Sequence, residues 1–205
     1  MMLNFRAFPA TIALIAINVI LFLALPLVGG GPAIYSAGVL SLGNAVVAGN
    51  WYVLVTSMFL HGSVIHILCN MMSLWYLGSD LEPTIGTGKF LIVYFLSGLA
   101  GSCVVLAYDM LTGSLVGTVG ASGAIFGLFG AIGMLMIHAY RKASSTGDRQ
   151  AVQASLRSYL SVLAVNVLIS LSPGISWQGH IGGFIAGIAV MSIMLAVRKN
   201  KPSRH

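Results

Sequence analysis

The hydrophobic pattern of this chain is one of long apolar runs rather than alternation. Six runs, near residues 10–28, 63–78, 90–108, 122–140, 158–172 and 177–197, carry no Asp, Glu, Lys or Arg in their interiors. The first, third, fourth and sixth reach the roughly 20 residues a helix needs to cross a bilayer. The second and fifth are shorter and must sit inside a bundle, tilt little or borrow flanking residues. Ten-residue stretches of alternating polarity are absent, which excludes a membrane barrel. Irregular backbone cannot face lipid, so helices are the only spanning structure left. The pattern predicts an all-α membrane protein, a bundle of six transmembrane helices.

Between the first two runs, residues 29–62 are apolar but broken by Gly, Pro, Ser and Asn. They predict a large interfacial loop of short amphipathic pieces lying against the bundle. Residues 141–157 are polar and predict a mobile loop. Asp80, Glu82, Asp109 and Asp148 all fall between the runs and are expected in loops. With no sequence repeat and no separate soluble segment, residues 1–205 read as one membrane domain.

Composition agrees. Hydrophobic residues make up 58% of the 205 positions, charged residues 7%, and the mean hydropathy is +0.96. A soluble domain carries about 25% charged residues. Lipid is therefore the main solvent. Cys69 and Cys103 lie inside apolar runs and read as small buried hydrophobes, not as a disulfide or a metal pair. Arg6 ahead of the first run suggests a signal peptide. The run exceeds the ~7–15-residue core of such peptides, and no small-x-small cleavage site follows, so it is expected to stay as the first helix.

The net charge of +6 changes the picture once its placement is seen. With six crossings, all ten basic residues fall on one side: Arg6, Lys89, Arg141, Lys142, Arg149, Arg157, Arg198, Lys199, Lys201 and Arg204. The positive-inside rule assigns that side, with both termini, to the cytoplasm. A bacterial cell membrane is the expected setting, the lipid bilayer the expected partner. Nucleic-acid binding is not needed to explain the charge and is not expected.

This topology starts the second, fourth and sixth runs on the outer side. His61, His66 and Asn70 then lie near the start of the second, Ser122 at the start of the fourth and His180 near the start of the sixth. Ser122 stands in Gly120-Ala121-Ser122-Gly123, and His180 in Gln178-Gly179-His180-Ile181-Gly182-Gly183. Polar groups at one depth inside a membrane normally face the bundle interior and mark function. Each has a plainer reading. Ser122 alone fits a small residue between helices, His180 a histidine bonded to a carbonyl, and His66 with Asn70, four apart on one face, a polar contact between helices. Together they form a candidate site in which Ser122 attacks a carbonyl and His180 is its general base. Gly123 with Gly127, and Gly179, Gly183 and Gly187, are small-residue stripes that let the fourth and sixth helices approach. Phe126 and Phe184 follow Ser122 and His180 at i+4; Phe184 reads as packing, and of packing and a ring stacked on His180, stacking is the reading favoured for Phe126.

Other chemistries fit less well. The chain has no His-Glu-x-x-His. His61, His66 and His180 lack a carboxylate or thiolate to complete a metal set. Asp109 is the only acid on the outer side, so an aspartyl pair is excluded there and a Ser-His-Asp triad is not expected. Ala124 breaks the Gly-x-Ser-x-Gly elbow of soluble hydrolases. No cofactor and no metal are expected. An oxyanion would find donors in the Ser122 backbone N–H at a helix start and in His66 and Asn70.

The set His61-Gly-Ser-x-x-His66-x-x-x-Asn70-Met71, Gly120-Ala-Ser122-Gly123 and His180-x-x-Gly183 resembles the rhomboid intramembrane serine proteases, in the family's order, over roughly residues 50–190. The resemblance implies Ser122 as nucleophile, His180 as base, and His66, Asn70 and the Ser122 backbone at the oxyanion. His61, Phe126, Gly123 and Gly183 would support them. It implies single-span membrane proteins as substrates, admitted by a mobile fifth helix and a cap loop near residues 172–177. Two positions depart from the family's habit. Trp51-Tyr52-Val53 stands where an aromatic-Arg pair is frequent, and Phe126 where tyrosine is frequent. Two alternatives share the scaffold: a protein that binds transmembrane helices without cutting them, and a small transporter or channel. Retention of both Ser122 and His180 speaks against the first, and the thinning of polar residues toward the inner half against the second.

Overall fold

The structure, a computed structural model, describes residues 7–199. Arg6, Lys201 and Arg204, which entered the charge pattern above, lie outside the described residues. The helices are α1 (Pro9–Ala24), α2 (Gly31–Gly38), α3 (Val53–Thr56), α4 (Val64–Ile85), α5 (Thr87–Thr112), α6 (Ser122–Lys142), α7 (Thr146–Ser170) and α8 (Trp177–Lys199). The described residues form no strand, only an isolated antiparallel bridge between Leu40 and Thr118. Pro9–Leu27, α5, α6, α7 and α8 are each long and apolar enough to cross a membrane. The second crossing, α4, meets that measure together with Val53–Phe59, from which it is bent by 94°. The protein is an all-α membrane bundle.

The chain between α1 and α4 folds as the short α2 and α3, a five-residue π turn at Gly43–Val47 and a 3₁₀ turn at Ser57–Phe59. It is pinned to the bundle by backbone bonds between Leu40 and Thr118 and from Gly120 N–H to the Ser57 carbonyl, 2.8 Å. Ser102 Oγ on α5 donates to the Leu54 carbonyl at 3.0 Å. Val53, which ends the Trp51-Tyr52-Val53 stretch, is fully buried.

Three elements are clearly longer than the hydropathy pattern predicts, among them α5, which covers Thr87–Thr112 rather than residues 90–108. α4 does not stop near residue 78 but runs to Ile85, and α7 starts at Thr146 instead of near residue 158. Asp80 and Glu82 therefore lie in α4, Asp109 in α5 and Asp148 in α7, not in loops. The expected mobile loop at 141–157 shrinks to residues 143–145 between two helices. A helix continues beyond the apolar band once water replaces lipid, and its polar turns erase the hydropathy signal without ending it. Ser145 and Asp148 make a capping box that starts α7: the Asp148 N–H donates to Ser145 Oγ at 3.0 Å, and the Ser145 N–H to Asp148 Oδ2 at 3.3 Å.

Glu82 explains why α4 carries an acid inward. Its carboxylate accepts from Ala10 N–H (2.9 Å), from the Thr11 N–H and hydroxyl (2.8 Å each) and from the Thr87 hydroxyl (2.8 Å). Ala10 and Thr11 belong to the first turn of α1, whose N–H groups have no intrahelical acceptor. A carboxylate there satisfies them and complements the positive end of the helix dipole. The second crossing thereby clasps the first.

α6 is the central helix and packs on α4, α5, α7 and α8. Phe90, Tyr94, Leu74, Leu77, Leu128 and Phe129 fill the core around it. Against α8 the contact is backbone on backbone. A β-carbon on Gly183 would sit 2.8 Å from the carbonyl carbon of Gly123, and one on Gly187 2.6 Å from that of Gly127. A third backbone joins them: a β-carbon on Gly101 of α5 would sit 2.7 Å from the Gly179 carbonyl oxygen. Three helix backbones therefore meet at glycines beside Ser122 and His180.

Candidate active site

Four helix ends build the site. Ser63 caps α4, its Oγ accepting from the His66 N–H at 3.1 Å, which fixes His66 in the first turn. Asn70 lies one turn further along the same face and is buried. Ser122 is the first residue of α6, so its N–H is among those without an intrahelical acceptor. His180 is in the first turn of α8, buried.

His180 Nε2 lies 2.7 Å from Ser122 Oγ. The Phe126 ring covers the imidazole, with centroids 4.3 Å apart and 4° between the planes. Of the two readings open for Phe126, stacking is the one observed. Phe184 packs against the apolar core. Asn70 Nδ2, which can only donate, lies 2.9 Å from His61 Nε2. His61 therefore accepts there and holds the amide, whose second N–H is left for another acceptor. The His61 and His66 rings meet edge to face at 5.0 Å.

Gly120 brings the two groups together. Its φ of +128° is a backbone conformation that L side chains rarely adopt. A β-carbon there would lie 2.7 Å from His66 Nε2 and 3.4 Å from Asn70 Nδ2. The missing side chain lets both nitrogens close on the backbone just before Ser122.

These residues line one cavity of about 510 Å³. His66, Asn70, Ser122 and His180 line it together with Phe126 and Gly123, and with Ser172, Gly174 and Ser176 of the α7–α8 connection. No Asp, Glu, Lys or Arg lines it. Among the described residues no group of three or more His, Cys, Asp or Glu is placed to hold a metal ion. His61 lies behind Asn70, and Gly183 in the α6–α8 contact.

Three residues of the site escaped the sequence reading. Ser170, the last residue of α7, places its Oγ 2.7 Å from His180 Nδ1. Thr118 Oγ1 meets Ser176 Oγ at 2.7 Å and ties the segment before α6 to the connection before α8. Neither serine stands in a motif. The only available signal was that the fifth run ends near the depth at which the sixth begins.

A family model for the rhomboid domain matches residues 48–197. This chain belongs to the rhomboid family. "RHOMBOID-like protein 2" of Arabidopsis thaliana is 32% identical over 142 residues, covering 69% of this chain and 42% of that protein. "Rhomboid protease GluP" of Bacillus subtilis (strain 168) is 31% identical over 186 residues, 86% of this chain and 33% of that protein. "Putative rhomboid protease YdcA" of the same organism is 28% identical over 197 residues, 96% and 93% of the two chains. The chain thus spans less than half the length of the first two of these rhomboid relatives and nearly all of the third. The matched region contains α4 to α8 up to Val197, and with them every residue of the candidate site.

Proposed function

We propose that this rhomboid-family protein is an intramembrane serine endopeptidase that cuts single-span membrane proteins with a Ser122–His180 dyad. The observation that carries the reading is the 2.7 Å approach of His180 Nε2 to Ser122 Oγ at a cavity of a membrane bundle that His66 and Asn70 also line. Ser122 Oγ attacks the scissile carbonyl carbon while His180 Nε2 takes its proton. The oxyanion is met by the Ser122 N–H, the free Asn70 N–H and His66 Nε2–H. Collapse breaks the C–N bond, and the proton on Nε2 goes to the leaving amine. Water then attacks the acyl ester, giving its proton to His180. Nε2 returns a proton to Ser122 Oγ as the carboxylic product leaves.

The distribution of basic residues supports a membrane orientation with both ends of this chain and the Lys89 and Arg141–Arg157 connections in the cytoplasm. The cavity then opens to the outer side, where water for the second step is available.

The reading is tested on the full chain in liposomes. A fluorophosphonate should label it covalently, and a single-span model substrate should yield two fragments. Folded protein that does neither would overturn the proposal.

The oxyanion role has its own test. Asn70→Ala is expected to lower kcat by roughly ten- to a hundredfold, less than the ~10²–10³ typical of a sole donor because other donors remain. KM should change little, since the bond strengthens only in the transition state. His66→Ala should cost at least as much, because His66 also packs edge to face on His61. A purely structural contact would instead lower the melting temperature with normal turnover per folded molecule.

A further inference from the structure

Among the described residues, Ser170 is the one side chain that touches the far nitrogen of His180, and its own hydrogen is already committed. The hydroxyl donates to the Asn166 carbonyl one turn earlier, at 2.7 Å. What it offers His180 Nδ1, also at 2.7 Å, is a lone pair. Nδ1 must then carry the imidazole hydrogen. A neutral imidazole has one hydrogen, so Nε2 is bare and faces the Ser122 hydroxyl, whose proton it can accept. The opposite tautomer would set two lone pairs against each other at Nδ1 and a hydrogen against Ser122 where a base is required.

Ser170 is itself held. It is buried, at the end of α7. The Asn166 side chain below it donates from Nδ2 to the Val162 carbonyl at 2.9 Å and accepts at Oδ1 from Ser73 Oγ of α4 at 3.0 Å. The polar path runs from Ser73 through Asn166 and Ser170 to His180 and Ser122, crossing from α4 to α7, α8 and α6. No carboxylate lines the cavity to serve the imidazolium that forms during attack.

We propose that Ser170 is a positioning residue for the base: its hydroxyl holds His180 in the tautomer with hydrogen on Nδ1 and accepts that hydrogen when the ring becomes charged. The inference rests on the reading of Ser122 as nucleophile and His180 as base.

The test uses the full chain in liposomes with a single-span model substrate. A net intramolecular hydrogen bond is worth enough that Ser170→Ala should lower kcat roughly three- to tenfold. KM and the melting temperature should stay near those of the unchanged chain. Ser170→Thr, which keeps a hydroxyl, should recover most of the loss. Nitrogen NMR of ¹⁵N-histidine protein, with His180 assigned by its loss in His180→Asn, distinguishes a protonated from a bare ring nitrogen. The unchanged chain should show Nδ1 protonated, and Ser170→Ala a mixture of tautomers. Unchanged kcat in Ser170→Ala, or identical His180 nitrogen signals with and without the hydroxyl, would overturn the proposal. The NMR arm needs no turnover. A chain that fails to react with fluorophosphonate therefore removes the protease reading without deciding the role of Ser170.

Discussion

Ser122→Ala is expected to abolish cleavage, a loss on the order of 10⁶-fold in kcat if it follows the scale of nucleophile removal in a soluble serine protease. Fluorophosphonate labelling should vanish with it, because Ser122 Oγ, 2.7 Å from His180 Nε2, is the nucleophile of the proposed reaction. The fold should survive. Ser122 is half-buried at a helix start, and its side chain's contact is with His180 rather than with the core. His180→Ala should also reduce labelling strongly, since the hydroxyl loses its base, and should cost some stability because the Phe126 stack is lost. The double variant should be no worse than the single ones, as expected of groups that act as a unit. Turnover by Ser122→Ala at a rate comparable to that of the unchanged chain would mean that another group performs the attack.

Gly187→Leu should be the most damaging substitution away from the reacting groups. The atoms that a side chain would meet are the backbone of Gly127, not the end of a flexible chain, so relief requires α6 and α8 to separate. Overpacking usually costs about 1–3 kcal/mol, and a clash with no movable partner belongs at or above the top of that range. At about 3 kcal/mol the melting temperature falls by roughly 6–12 °C for a chain of this size. Gly183→Ala should do similar harm on a smaller scale and also lower activity, because it separates the helices next to Ser122 and His180. Gly88→Ala is the control: nothing lies within 4 Å of a β-carbon there. That variant should keep both stability and activity. Equal melting temperatures for Gly187→Leu and Gly88→Ala would refute the close backbone contact.

The parts of this molecule that lipid dictates were legible in the chain. Apolar length gave six crossings, and the convergence of His66, Asn70, Ser122 and His180 needed only the direction of each crossing. What water dictates was not legible by the same means. The last turns of α4 and the first turns of α7 are polar, and a hydropathy reading ends where the lipid does. Glu82 illustrates the difference. In sequence it is an acid after an apolar run, and only the position of α1 makes it a cap for Ala10 and Thr11. The Ser145-Asp148 capping box, by contrast, could have been read directly and would have placed the start of α7. The α6–α8 approach was visible in the glycine spacing, but the part of Gly101 was not, because it depends on which face α5 turns inward. Ser170 was hidden for a similar reason. One serine among many in the fifth run carries no pattern, and its meaning comes from the imidazole that α8 brings to it.

α7 differs from the other crossings in how it is held. Only 6% of the residues in its apolar stretch are buried. Four hydrogen bonds among the described residues join it to its neighbours: Ser73 to Asn166, Tyr76 to Ser158, Tyr159 to the Phe129 carbonyl, and Ser170 with His180. Lipid tails are as apolar as leucine, so exchanging protein for lipid along such a helix gives no hydrophobic penalty, and each polar bond within a membrane is worth only about 0.6–1 kcal/mol. From the polar bonds alone the detachment free energy is about 2–4 kcal/mol. Since Tyr159, Leu156, Val162 and Leu163 also pack on the core, a detached minor state is populated at no more than roughly 0.1–3% at rest. A population of that size is measurable by relaxation-dispersion NMR on α7, and its absence would require a stronger anchor than these four bonds. It also sets a thermodynamic scale for opening of the bundle beside α7. Under the proposed function, a transmembrane segment would enter during such an opening, and α7 would return to restore the Ser170–His180 contact before cleavage. On that proposal, selection among membrane proteins would rest on small differences in how well each exploits the opening of a loosely held helix.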